Sequence, residues 1–216
     1  MASESHDTFS DNIVDVQRLV DSHGELSRDG RGKRALGHIT RSGVVLLCAA
    51  WEVYLEDVVL ECVGYITTYL DDASQLPTEV QSNLVDSVED DPHDLKPIHL
   101  AGEGWKELYQ NYTRDEIEWW HTPKSTPINE LFSDYLGVEK LSYYWSYKSN
   151  KIDQFVSVRG EIAHNGRAAG YVRIDRLTEY LELVRSTVDD TDEFLTEYLR
   201  NFNPEDTLPW YRTYGN

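Results

Sequence analysis

Sulfur is nearly missing from this chain: its 216 residues include two cysteines and one methionine. Cys48 and Cys62 fall within one predicted helix. At about 1.5 Å of rise per residue they stand roughly 21 Å apart, too far to be bridged to each other. Both read as buried thiols of a reducing compartment, and the chain therefore reads as cytoplasmic. The Cys and His residues show no metal-ligand spacing, so no metal and no cofactor is expected. Long apolar runs are missing too. The most apolar stretch, Val44 to Tyr69, carries Glu52, Glu56, Asp57 and Glu61. Those charges exclude a membrane span and predict a core helix with one wet face. The first residues, Met1 to Asp7, are polar and acidic, so no secretory signal is expected. No P-loop, nucleophile elbow or pair of catalytic carboxylates occurs.

Positive charge is scarce. Seven lysines and thirteen arginines face 39 acids, for a net charge of −19. Such a surface repels a phosphate backbone over most of its area, which argues against general nucleic-acid binding. It suits high salt, where screening suppresses self-repulsion, and a halophilic cytoplasm is the expectation. One stretch reverses the sign. From Lys140 to Arg176 there are seven basic residues (Lys140, Lys148, Lys151, Arg159, Arg167, Arg173, Arg176) and three acids (Asp153, Glu161, Asp175). That window is +4, which leaves −23 for the rest.

The chain is 40% hydrophobic, and six Trp and 14 Tyr argue against disorder. Its length suits a single domain, 1–216, with an insertion at about 71–127. Ser10-Asp11 can cap a helix running to about His23, and Asp29-Gly30-Arg31-Gly32 reads as a turn. A long helix follows from about Lys33 to Leu70, with Leu47, Trp51, Tyr54, Leu55, Val58, Val59, Cys62 and Ile66 at helical spacing. The insertion holds one modest helix, about Thr78 to Val88. From Gly102 to Pro127 it reads as irregular and aromatic, an elaboration rather than a second core. Short helices are expected at Ile128 to Tyr135, stopped by Gly137, and at Leu141 to Tyr147. Another, from about Lys151 to His164, has Ser149 or Asn150 as its cap and Gly166 as its stop. The last runs from Val172 to about Leu199. No period-two strand pattern appears, so the chain is read as mainly α, an antiparallel helical bundle with an irregular aromatic insertion.

The chemistry concentrates in Val158-Arg159-Gly160-Glu161-Ile162-Ala163-His164-Asn165-Gly166. Advancing about 100° per residue from Ile152, the residues Phe155, Val156, Ile162 and Ala163 form an apolar stripe, and Arg159 falls in its middle. A guanidinium there must be paired or must line a cleft. His164 falls about 120° from Ile152, off the stripe, at a helix C-terminus that attracts cations. A joint role therefore needs the helix to end or bend at His164, or needs a second subunit. A buried structural ion pair for Arg159 and a plain helix cap for His164 account for the same residues.

Arg159-x4-His164 resembles the R-x4-6-H motif of the HEPN superfamily of α-helical ribonucleases, the RiboL-PSP-HEPN group in particular. Two further segments are similar to that group. One is VVLLCAAWEVYLEDVV, Val44 to Val59, and the other is Thr122 to Trp145. The resemblance spans about Arg41 to Leu199. It implies a metal-independent endoribonuclease, paired as a homodimer that brings two motifs into one cleft. His164 would move the proton of the ribose 2′-OH or of the leaving oxygen, and Arg159 would hold the scissile phosphate. The products would be 2′,3′-cyclic phosphate and 5′-OH ends. It also implies a defence or toxin–antitoxin setting, with an antitoxin or defence-system protein as partner. The family usually places a polar residue directly after the arginine, where this chain has Gly160; Glu161 or Asn165 could supply that contact. Non-catalytic relatives imply a rival, a dimer that binds RNA, nucleotide or protein. A structural interaction module is a second rival.

Other residues divide between roles. Glu52, beside Trp51, could orient Arg159 or simply lie on a solvated face. Tyr143, Tyr144, Trp145 and Tyr147, with Lys148 and Lys151, could stack and track an RNA strand, although Trp145 reads better as core. Arg167 is an exposed phosphate contact or a solvated loop charge. His38, His93, His99 and His121 lack partners at useful spacing and are assigned nothing.

Overall fold

Residues Gly37–Tyr69 form a 33-residue helix, α3, that is apolar on nearly every face. Such a helix has no stable position at a surface and must be wrapped by others. The computed structural model shows that arrangement. It describes residues 2–28, 36–90, 92–93, 95–203, 205 and 208–210. Around α3 pack α1 (Glu4–Asn12), α2 (Val14–Arg28), α5 (Gly104–Trp119), α6 (Ser125–Leu136), α7 (Ser149–Asn165) and α8 (Ile174–Leu199). Helix α4 (Thr78–Glu89) packs on α5 and α6. The protein is an all-α bundle, with no strand among the described residues.

Several expectations change. Ser10 and Asp11 lie inside α1, whose cap is Ser3: its side chain accepts a hydrogen bond from the His6 N–H at 3.0 Å. The chain breaks at Ile13 and resumes as α2, which passes through Gly24 to Arg28. The turn proposed at 29–32 lies outside the described residues. The stretch from Gly102 to Pro127 is not irregular. Residues Gly104–Trp119 are helix α5, and Trp105, Tyr109, Thr113 and Ile117 bury one side of it at four-residue spacing. Trp105, Leu108, Tyr109 and Ile117 join the same core as α3. Leu141–Tyr144 is only a short 3-10 turn. Helix α7 starts at Ser149, so Ser149 and Asn150 are its first residues rather than its cap.

Helix α6 follows directly on the loop residues Thr122 and Lys124 and is fixed at both ends. Its last carbonyls would be orphaned in the core. The Tyr109 and Tyr198 hydroxyls donate to the carbonyls of Tyr135 and Leu136, and Gly137 ends the helix at φ 73°. At the other end the Asp153 carboxylate of α7 accepts from the Ser125 N–H at 2.7 Å and the Ser125 hydroxyl at 2.9 Å. Ser3 and Ser5 tie α1 down in the same manner. The Ser3 N–H donates to Asp192 at 3.1 Å, and the Ser5 hydroxyl to Glu61 at 2.6 Å. No helix of the described residues is long and apolar enough to cross a membrane.

Candidate functional site

Helix α7 buries Ile152, Phe155, Val156 and Ile162. The stripe predicted for it is uncovered toward the C-terminus, where Ala163 is exposed and Arg159 is part-exposed. The Arg159 side chain retains 40% of its accessible surface and faces Glu52 of α3 across 3.8 Å, with Glu52 at 18%. This is a loose, wet pair rather than a buried structural one. Arg159 lines an open cleft of about 470 Å³.

The cleft has two walls. Helix α7 supplies Ser157, Arg159, Gly160, Glu161, His164 and Asn165. The loop between α5 and α6 supplies Thr122 and Lys124. Arg159 and His164 therefore meet one cavity in a single chain, although α7 runs unbroken to Asn165. The two positions stand about 140° apart around α7, and the helix ends one residue past His164, at Asn165. Gly160 falls between them, about 100° from Arg159 and about 40° short of His164. With no side chain it leaves the surface between them clear: a Cβ built there meets no atom within 4 Å. Gly166, at φ 52°, then ends the helix just past His164.

The loop wall is held from both sides. The Trp51 indole N–H donates to the Pro123 carbonyl at 3.2 Å, and Asp153 fixes Ser125. Between them the Lys124 N–H donates to the Thr122 carbonyl at 2.7 Å, and Thr122 stands at φ 69°. A β-branched residue in the left-handed region costs about 1–3 kcal/mol and persists only where its surroundings force it. Trp51 is fully buried, stacked on Tyr54 with ring centroids 5.9 Å apart.

Charge around the cleft is mixed. Burial pushes the Glu56 carboxyl up, helped by Glu52 and Asp57, while the His121 charge opposes them. Burial likewise pushes the Cys48 thiol up to about 12, with Arg159 pulling it down and Glu52 pushing it up. A thiol held protonated in this way is an inert core group. Among the described residues no group of three or more His, Cys, Asp or Glu side chains could hold a metal ion.

The other expected residues separate. Glu161 and Asn165 line the cleft, and Glu52 meets Arg159 behind it. Arg167 lies exposed in the 3-10 turn Gly166–Ala168, outside the cleft lining. Lys148 and Lys151 sit at the opposite end of α7, about 24 Å and about 20 Å from His164 at about 1.5 Å per residue. Lys151 lines a separate cavity with Tyr147, Arg176 and Tyr180. Trp145 is core, its indole bonded to Thr191 at 3.0 Å, whereas Tyr143, Tyr144 and Tyr147 are exposed. Of the basic island, Arg173 pairs with Asp175 and Arg176 with Glu179. Lys124 and Thr122 were missed. The one available signal was a lysine between two prolines, inside the segment that carries the second family resemblance.

Residues 7–197 match the RiboL-PSP-HEPN family. The chain belongs to that family. Neither a curated protein nor a solved structure matches it. Membership brings a general nuclease or RNA-related role to this HEPN protein.

Proposed function

We propose that this HEPN protein is a metal-independent endoribonuclease whose site is the cleft of Arg159 and His164. The observation that carries the reading is that both residues open onto one solvent-accessible cavity, with Arg159 only loosely paired. In the reaction the ribose 2′-oxygen attacks phosphorus and its proton passes to the His164 imidazole. The P–O5′ bond breaks with its electron pair on the 5′ oxygen, which takes a proton from a second imidazole that starts in its protonated form. Arg159 holds the non-bridging oxygens as their charge grows. The products are a 2′,3′-cyclic phosphate and a 5′-OH. Glu161 and Asn165 supply the polar contact that relatives place after the arginine, and Glu52 aims the guanidinium.

The second imidazole comes from a second copy of the chain in a homodimer. A shallow apolar groove supports this, because it adjoins the motif. Exposed Val45 and Leu46 of α3 line it with Ile162 and Gly166, which flank His164 in sequence. Arg167 lies beside this end and contacts the strand outside the cleft, while Lys148 and Lys151 track its far end. The proposed setting is cytoplasmic, in high salt, within a defence or toxin–antitoxin system whose second protein restrains the enzyme. That setting rests on the family resemblance and the charge of −19.

A second reading is a non-catalytic dimer that binds RNA, nucleotide or protein. Gly160 favours it, since relatives carry a polar side chain there. Mixed RNA incubated in EDTA separates the two. The enzyme reading expects cleavage by the wild type and its loss in Arg159→Ala and in His164→Ala. Cleavage that persists in His164→Ala overturns it.

A further inference from the structure

Arg159 is not the only cation in the cleft. Lys124 reaches it from the opposite wall, and its ammonium has no salt bridge among the described residues. In a chain of net charge −19, a lysine with no salt bridge among the described residues that lines the same open cavity as an arginine is an unusual placement. It is also a costly one, since Thr122 is held at φ 69° beside it. Three separate contacts enforce the position. The Trp51 indole grips the Pro123 carbonyl, Asp153 grips Ser125, and the Lys124 N–H closes a tight turn onto Thr122. Backbone strain maintained by hydrogen bonds to two different helices indicates that the loop is built to hold its side chains at a fixed place.

We infer that Lys124 is a substrate-binding residue that grips a phosphate of a single RNA strand from the wall opposite Arg159. The inference rests on the reading of this cleft as an RNA site, and it deepens that reading. The strand then lies between the loop and α7, with one phosphate oxygen drawn to each wall. Lysine suits this role as a compact point charge that can take any non-bridging oxygen without a fixed angle. No proton moves to or from Lys124. It binds and positions, and the proton transfers stay with the imidazoles.

The test uses the full chain and a fluorescent 2′-O-methyl ribo-oligonucleotide, which lacks the attacking hydroxyl and reports binding alone. Wild type, Lys124→Ala and Lys124→Gln are titrated by anisotropy over a range of KCl concentrations. Each charge-removing variant is expected to weaken binding about tenfold at low salt. Each is also expected to lower the slope of log affinity against log salt by about 0.7, the loss of one phosphate contact to a single strand. Lys124→Arg should retain both. Circular dichroism identifies any variant that has failed to fold, and the glutamine variant, which keeps most of the side chain and its polar end, serves if the alanine variant does fail. Unchanged affinity and slope in folded Lys124→Gln overturn the inference, even if the wild type cleaves RNA. Weakened binding together with no cleavage by the wild type leaves the inference standing and removes the nuclease reading. Failure of the wild type to bind the strand overturns the inference outright.

Discussion

Gly160 offers the sharpest test of how this cleft is built. It sits inside α7, where glycine is about 1 kcal/mol less favourable than alanine because its backbone loses more freedom on folding. Usually such a glycine is retained because a side chain would clash with the protein. Here a Cβ meets nothing within 4 Å, so Gly160→Ala has no steric penalty. The variant should gain about 1 kcal/mol of stability. In a chain of this size that corresponds to a Tm roughly 2–4 °C higher. The new methyl group would stand on the cleft floor between Arg159 and His164. Holding the reacting phosphate about 1 Å from its seat costs on the order of 10²-fold in rate. A more stable protein that cleaves on the order of 10²-fold more slowly is therefore expected, because a methyl, unlike the polar side chain of relatives, adds bulk to the floor without a hydrogen bond to the phosphate. Thermal unfolding and initial cleavage rates on one preparation measure both effects. A lower Tm refutes the structural account of Gly160. A higher Tm with an unchanged rate refutes the claim that the bare floor serves the ligand.

Three further outcomes follow from the packing and charge. Gly137→Ala forces a side chain into the left-handed region and against the Pro77 ring. Strain of about 1 kcal/mol and overpacking of about 1–3 kcal/mol should lower its denaturation midpoint, and a neutral result would contradict both terms. Burial raises the Asp192 carboxyl, against the Ser3 hydrogen bonds that lower it, so the folded chain holds this proton more tightly than the unfolded one. The stability it contributes is complete below the ordinary carboxylate range and is lost as pH rises through the folded value. Wild type should thus gain Tm relative to Asp192→Asn as pH falls from about 7 to about 4; a relative loss would show that the hydrogen bonds outweigh burial. Finally, a net charge of −19 predicts that KCl raises Tm as it screens self-repulsion, and a steady fall would remove the high-salt proposal.

The long periodic helices were legible because burial on one side leaves a regular mark: α3 and α8 are recoverable from Leu47 to Ile66 and from Leu177 to Leu195. Helix α5 was not, because Gly102 and Gly104 read as breakers. Its buried positions are also mostly aromatic or polar, Trp105, Tyr109 and Thr113, and do not look like an apolar stripe. The break at Ile13 has no proline or glycine to announce it. For the cleft, the motif wall was visible in one contiguous run. The second wall lies 35 positions earlier than Arg159 in the case of Lys124, and only the Trp51–Pro123 and Asp153–Ser125 contacts bring it across. Neighbours created by tertiary packing leave no spacing to read.

Trp51 and Glu52 are consecutive residues of α3, yet one grips the loop wall and the other meets the arginine of the helix wall. The width of the cleft is therefore gauged by a single helical step of the most deeply buried element in the protein. Its lining at Thr122, Lys124 and Gly160 lies outside that gauge. Substitutions at those three positions would change what the cleft recognises at constant aperture, which makes it a site where new specificities can arise without disturbing the frame.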